Sequence, residues 1–188
     1  KNCSSAVALG HNLSCILLRD QPQPVQGNGF TVVFEGRLFP SPNPPDLPEI
    51  KEIVRKLASN PLRNAGNILE SCEGSYVFAV ADSSKIIAGR DLFGETPLYY
   101  GENDAVCAVA SERKALWKMG LEDVESFPPG HLAVMNTRGF FFNQVKELRM
   151  PPRETVDMET AARALQLLLL ESTRKRVSDL EAVAVAFS

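Results

Sequence analysis

The sequence predicts an α+β fold built on antiparallel sheet, followed by the opening helix and strand of a second, α/β unit. Three observations carry this. Short strand candidates follow one another with turn residues between them, from Phe30 to Phe142, which is hairpin spacing. Only one strongly amphipathic helix, Leu47 to Ala58, interrupts that series. Adjacent prolines, Pro151 and Pro152, then separate it from a long helical stretch, so the boundary is placed between residues 1–150 and 151–188.

Each element has a local reason. Ala6 to Leu9 reads as a first strand, and Phe30 to Phe34 as the next, ending at Gly36. Pro42, Pro44, Pro45 and Pro48 force a loop before the helix. Within it, Ile50, Ile53, Val54 and Leu57 recur at helical spacing, and Pro61 stops the pattern. Ser75 to Ala81 turns through Asp82-Ser83-Ser84 into Lys85 to Ala88. Leu98 to Tyr100 and Ala105 to Ala110 flank Gly101-Glu102-Asn103-Asp104, and His131 to Met135 turns through Asn136 to Gly139 into Phe140 to Phe142. Beyond the prolines, Met158 to Arg176 reads as a helix with Asp157 as its cap and a stripe of Ala161, Leu165, Leu168, Leu169 and Ser172. Ala182 to Phe187 is a continuous apolar run, the pattern of a strand buried on both faces. Such a strand needs neighbours, so the chain is expected to continue.

Composition narrows the function classes. Hydrophobic residues make up 44% and charged residues 23% of 188, enough apolar chain to bury a core. The formal net charge of -3 supplies no basic field for nucleic acid. Arg174-Lys175-Arg176 reads as the charged last turn of a helix. No apolar stretch is long enough for a membrane span. The four cysteines, Cys3, Cys15, Cys72 and Cys107, have no CxxC spacing, and His11 and His131 are the only imidazoles. No metal site is expected; reduced, mostly buried thiols and a cytoplasmic location are.

The segment Arg90-Asp91-Leu92-Phe93-Gly94-Glu95-Thr96-Pro97-Leu98-Tyr99-Tyr100 is the most specific in the chain. It resembles the R-D-x-x-G-x-x-P-L-Y-Y segment of asparagine synthetases and their relatives. Four further segments agree in order. Gln23-Pro24 resembles the end of G-x-Q-P, and Glu73 to Ala79 resembles E-G-x-F-A-F-A. Ser111 to Leu116 resembles S-E-x-K-A-L, and Pro128 to His131 resembles P-P-G-H. The resemblance implies an Ntn-hydrolase-type αββα antiparallel-sheet sandwich: a class II glutamine amidotransferase-like domain, here lacking its extreme N-terminus. It also implies that an N-terminal cysteine attacks glutamine with its own α-amine as base. An asparagine side chain and a glycine N–H stabilise the oxyanion, an arginine holds the substrate carboxylate, and acids hold its ammonium. These motifs themselves are scaffold in the family, so Arg90 and Asp91 are read as a structural ion pair.

The departures from that pattern fall on the glutamine site. The family's N-G-E maps onto Glu35-Gly36-Arg37, placing a carboxylate where the oxyanion donor belongs and a cation where the ammonium is held. The arginine of H-x-R-L-S maps onto Leu13, and S-D-x-E maps only loosely, with broken spacing, onto Asp46 to Glu49. Cys3 maps after the family's R-H-R-G-P-D region and reads as structural, so no catalytic residue is assigned. The expectation is a degenerate glutamine site.

Asp179 to Ser188 resembles the strand that enters the S-G-G-x-D-S pyrophosphate loop, with Phe187 and Ser188 as the start of an ATP site. The resemblance implies, for the full-length protein, ATP and Mg²⁺ as cofactors; the chain itself is expected to hold none. It implies aspartate, ATP and ammonia or glutamine as small-molecule substrates, and pairing as a homodimer. Two alternatives stand beside this reading: a glutamine-hydrolysing asparagine synthetase whose nucleophilic cysteine is not in this chain, and a non-catalytic structural or regulatory homologue.

Overall fold

The computed structural model describes residues 6–12, 20–39, 48–153, 155–177, 180 and 182–186. Two antiparallel sheets lie between helices. The larger has six strands in the order β1-β2-β3-β4-β8-β9 and the smaller three, β6-β5-β7. In chain order, β1 is Val25–Gln26, β2 Thr31–Phe39, β3 Glu73–Ala81, β4 Ile86–Arg90, β5 Tyr99–Glu102, β6 Cys107–Ala110, β7 Glu125–Ser126, β8 His131–Asn136 and β9 Gly139–Gln144. The helices are α1 Glu49–Leu57, α2 Pro61–Ser71, α3 Arg113–Lys118 and α4 Met158–Val177.

Side-chain alternation along β3 separates the layers. Tyr76, Phe78 and Val80 join Ile50, Ile53 and Leu57 of α1 and Ala65, Ile68 and Leu69 of α2 in one core. Their neighbour Val77 faces the opposite way, into a core shared with Leu98, Phe127, Ala133 and Met135 between the two sheets. A third core, Leu116, Leu121 and Val124 with Tyr99, Ala108 and Ala110, covers the outer face of the smaller sheet. The order is therefore helices, sheet, sheet, helix. Because β3 is buried on both sides, it reads as a nearly unbroken apolar run. Tyr76 is buried among Phe34 and Phe78 and satisfies its hydroxyl by donating to the Ile68 carbonyl at 3.1 Å. Burial raises its phenol pKa.

Several expectations are corrected. Pro61 ends one helical pattern but also opens α2, because a proline lacking N–H suits the first helical turn and Asn60 accepts from Arg63 N at 3.1 Å. The six-residue α3 and the two-residue β7 were not expected from the sequence; both are too short to show a period. Ala6 to Leu9 forms no strand, since no described segment pairs with it. The run 182–186 is likewise neither paired nor buried. Cys72 and Cys107 are free and half-buried rather than buried, while Cys3 and Cys15 lie outside the described residues. The proline loop before α1 lies outside them too, apart from Pro48.

Asp157 caps α4 as its sequence position predicts, accepting from Thr160 N at 2.9 Å. The expected stripe on α4 is not buried: Leu165, Leu168 and Leu169 are exposed, as are Leu167 and Leu170. The last turn of α4 does touch the larger sheet. Lys175 Nζ donates to Glu73 at 2.9 Å, and the Arg176 guanidinium lies 4.7 Å from the centre of the Phe39 ring. Glu73 and Phe39 are cross-strand partners, so both contacts meet one end of the β2–β3 ladder. No described helix is long and apolar enough to cross a membrane.

Candidate functional site

The middle and end of β2 carry the expected glutamine-site positions. Glu35 pairs with Val77, Gly36 with Tyr76 and Arg37 with Ser75. Since Val77 belongs to the core between the sheets, Glu35 and Arg37 share the strand face toward the second sheet, and Glu35 is exposed there. Gly36 is fixed by geometry. Its φ is +121°, and an added Cβ would lie 2.1 Å from the Ser75 carbonyl oxygen. The strand reaches β3 this closely only without a side chain at 36.

The Gln23-Pro24 motif holds the same strand from its other side. Gln23 Nε2 donates to the Phe34 carbonyl at 2.8 Å, and its Oε1 accepts from Phe34 N at 2.6 Å. One side chain thus stands in for a neighbouring strand beside the residue that precedes Glu35.

Arg37 is not an open cation. Its Nη2 lies 3.3 Å from Asp20 and its Nε 3.9 Å from Glu49, at the start of α1. Its Nη1 donates to the Gly36 carbonyl at 3.1 Å. The two carboxylate side chains are 9% and 4% exposed, while the Arg37 side chain is 32% exposed. The sequence mapped the segment ending at Glu49 only loosely onto the acids of the family's site, and the fold brings Glu49 to Arg37 from another element. Asp20 was not singled out; its only signal is an acid just before the Gln23-Pro24 turn. Leu13, Phe187 and Ser188 lie outside the described residues.

Arg90 and Asp91 correct a further expectation. They are not an ion pair of mutual contacts; each binds backbone. Buried Arg90 donates to the carbonyls of Thr96 (2.9 Å), Gly94 (2.6 Å) and Phe127 (2.7 Å) and to Ser126 Oγ (3.2 Å). Burial lowers its pKa, with the Asp91 charge opposing. Asp91 accepts from Phe93 N (2.8 Å), Gly94 N (3.0 Å) and Tyr76 N (3.1 Å). The Asp91 carbonyl accepts from Gly130 N at 2.9 Å, and Gly130 O accepts from Val145 N and Lys146 N. Gly130, at φ +69°, has the Lys146 carbonyl oxygen where its Cβ would stand. The R-D and P-P-G-H motifs are thus one hydrogen-bonded knot. It reaches the candidate site through Thr96, whose hydroxyl is 3.1 Å from that of Ser75, the partner of Arg37.

Burial, with Glu102 beside it, pushes the Cys107 thiol up to about 11, the inert direction for a thiol. No cluster suited to a metal ion occurs among the described residues. A cavity of about 540 Å³, lined by Val7, Leu9, Gln26, Thr31 and Asp82 among others, lies at the opposite end of β2. Six residues of strand, about 20 Å, separate Thr31 from Arg37.

Residues 51–118 match the family described as a glutamine amidotransferase domain. A putative glutamine-hydrolysing asparagine synthetase of Methanocaldococcus jannaschii is 31% identical over 126 residues, 60% of this chain and 22% of that protein. A glutamine-hydrolysing asparagine synthetase of Triphysaria versicolor is 40% identical over 77 residues, 39% of this chain and 13% of that protein. The chain thus matches less than a quarter of the length of these relatives. Among solved structures, glutamine phosphoribosylpyrophosphate amidotransferase from B. subtilis superposes with a TM-score of 0.55 at 21% identity, over 66% of this chain and 32% of that one. The allosteric regulatory enzyme of purine biosynthesis gives 0.58 at 20% identity, over 66% and 31%. At those identities the structures speak for the fold, and the sequence relatives for the kind of domain. Residues 51–118 thus resemble a glutamine amidotransferase domain, and the chain is similar in sequence to parts of asparagine synthetases.

Proposed function

We propose that this domain no longer hydrolyses glutamine and serves as the scaffold of an asparagine synthetase-like, ATP-dependent amide-forming ligase. The observation that carries the proposal is the pair of charges on β2, Glu35 and Arg37. By the resemblance, exposed Glu35 maps onto the oxyanion position, and Arg37, which faces Asp20 and Glu49, maps onto the acid that holds the substrate ammonium. An ionised carboxylate has no proton to donate to a developing oxyanion and repels it. The knot around Arg90 and Asp91 is kept while the pocket chemistry is not, which is the pattern of a retained scaffold.

The whole protein would adenylate a carboxylate, aspartate by the resemblance, using ATP and Mg²⁺, and ammonia or another amine would displace AMP. Phe187 and Ser188 would open the ATP site. Cytoplasmic location, homodimer formation and the absence of nucleic-acid or membrane partners complete the reading. The experiment is ATP–pyrophosphate exchange and amide formation by the full-length protein with aspartate, supplied in turn with ammonia and glutamine. Product from ammonia and none from glutamine is expected. Glutamate released from glutamine would overturn the reading and favour a glutamine-hydrolysing synthetase, the activity for which both sequence relatives are named.

A further inference from the structure

The connection between β1 and β2 carries a reactive pair that the glutamine-type site does not use. Asn28 is the only asparagine of the chain followed by a glycine. The spacing matters chemically: the side-chain Cγ of an asparagine and the backbone nitrogen of the next residue can close a five-membered ring. A glycine in second place has no side chain to obstruct that closure and turns freely about its backbone.

The fold leaves the pair open. Gln26 pairs with Thr31, so residues 27–30 form the connection. Its inner side is packed. Gly27 N donates to the Phe30 carbonyl at 2.7 Å, and the buried Phe30 ring lies where a Cβ on Gly27 would stand. Its outer side is bare: Asn28 and Gly29 are both exposed, Gly29 at φ +78° with no atom within 4 Å of an added Cβ. Among the described residues, none bonds to the Asn28 amide or to the Gly29 N–H. Ring closure therefore breaks no hydrogen bond.

Other asparagines are held away from such chemistry. Asn60 accepts from Arg63 N, Asn64 donates to the Ala58 carbonyl, and Asn136 accepts from Arg138 N. Asn103 accepts from the N–H groups of both Ala105 and Val106. In each, rotation of the side chain toward the next nitrogen costs at least one of these bonds. Asn28 also lines a cavity of about 200 Å³ together with Lys85, so a carboxylate formed at position 28 has a cation on the same cavity wall.

We propose that Asn28-Gly29 is a self-modification site whose product opens the β1–β2 turn. The Gly29 nitrogen attacks Asn28 Cγ; the new N–Cγ bond forms as the Cγ–Nδ2 bond breaks, and the amide nitrogen leaves as ammonia, taking the proton that the Gly29 nitrogen gives up. Water then opens the cyclic imide at one of its two carbonyls. One opening yields aspartate, the other isoaspartate, whose backbone runs through Cβ. Both carry a new negative charge. Isoaspartate also lengthens the connection by one backbone atom inside the loop that the Gly27–Phe30 hydrogen bond closes. The inference is independent of whether the domain hydrolyses glutamine.

The test ages the full-length protein at mildly alkaline pH, folded and, in parallel, unfolded in guanidinium chloride, and maps its peptides by mass spectrometry. The peptide holding Asn28 should gain about 1 Da, with isoaspartate as the larger product in backbone fragmentation. In the folded protein this gain should run within about tenfold of its rate in the unfolded chain, and about tenfold or more ahead of every other asparagine. Asn28→Gln, which needs a larger ring, should abolish it. Aged protein should lose amide-exchange protection at Gly27, whereas Asn28→Asp, with its backbone unaltered, should keep it. Protection of Asn28 by folding well beyond tenfold, another asparagine reacting first, or a gain that persists in Asn28→Gln would overturn the site. Full Gly27 protection in completely converted protein would overturn the opening of the turn.

Discussion

Replacing Arg90 with alanine should weaken the domain rather than alter any chemistry, and the structure sets the size of the effect. The guanidinium donates to three carbonyl oxygens, of Gly94, Thr96 and Phe127, and to Ser126 Oγ. Hydrogen bonds from a charged donor contribute about 1.5–3 kcal/mol each, while an orphaned buried acceptor costs about 1–3 kcal/mol. Three carbonyls lose their donor together. Against this stands the desolvation of the cation, which is felt as the lowered Arg90 pKa and is relieved when the side chain goes. A net loss of about 3–4 kcal/mol follows, out of the roughly 5–15 kcal/mol that holds a domain folded. At about 2–4 °C per kcal/mol for a domain of this size, the melting temperature should fall by about 6–16 °C. Urea unfolding followed by far-ultraviolet circular dichroism measures it. The midpoint should move while the slope does not. Arg90→Lys should recover part of the loss, because one ammonium cannot replace a fork that spans four acceptors. A loss under about 1 kcal/mol for Arg90→Ala would refute the account of the R-D motif as a structural knot.

Two further outcomes follow from particular contacts. Gly36→Ala places a Cβ at 2.1 Å from the Ser75 carbonyl on a backbone at φ +121°, so it should destabilise the domain by more than about 2 kcal/mol, read by the same urea curve. The contact of α4 with the β2–β3 ladder should depend on pH. The hydrogen bond with Lys175 holds the Glu73 carboxyl below its ordinary value of 4.5, and Glu73 in turn raises Lys175 above 10.5. For Glu73, a depressed acid, the stabilisation is present above pH 4.5 and lost as pH falls through the lowered value. For Lys175, a raised base, it is present below pH 10.5 and lost at higher pH. Amide-exchange protection in the last turn of α4 should therefore be greatest between about pH 5 and 10 and fall with salt. Glu73→Gln together with Phe39→Ala should reduce it throughout. Unchanged protection in that double variant would remove the contact as a tether.

The helix–turn–strand series was legible where local chemistry repeats. α1 shows its apolar face, β3 its apolar run, and Asp157 its cap, and the R-D, Q-P and P-P-G-H segments stand out as letters before their contacts are known. What those letters do was not legible. Gln23 supplies a strand's worth of hydrogen bonds to Phe34, and Asp91 carries the Gly130 N–H on its carbonyl, across 39 residues of chain. The second helix was hidden because Pro61 reads as a stop in sequence, although it is equally a start in space. The apolar run at 182–186 has strand pattern, but no described segment pairs with it.

The sequence by itself determined that an anion, Glu35, and a cation, Arg37, flank Gly36 on β2, because residue identity fixes the sign of a charge. Only the tertiary structure decided what surrounds them. Asp20 and Glu49 are 17 and 12 residues from Arg37 and show no common motif, yet folding brings both carboxylates to one guanidinium. Charge is a property of a residue; its partner, and the separation that sets the strength of the pairing, belong to the packing of distant segments.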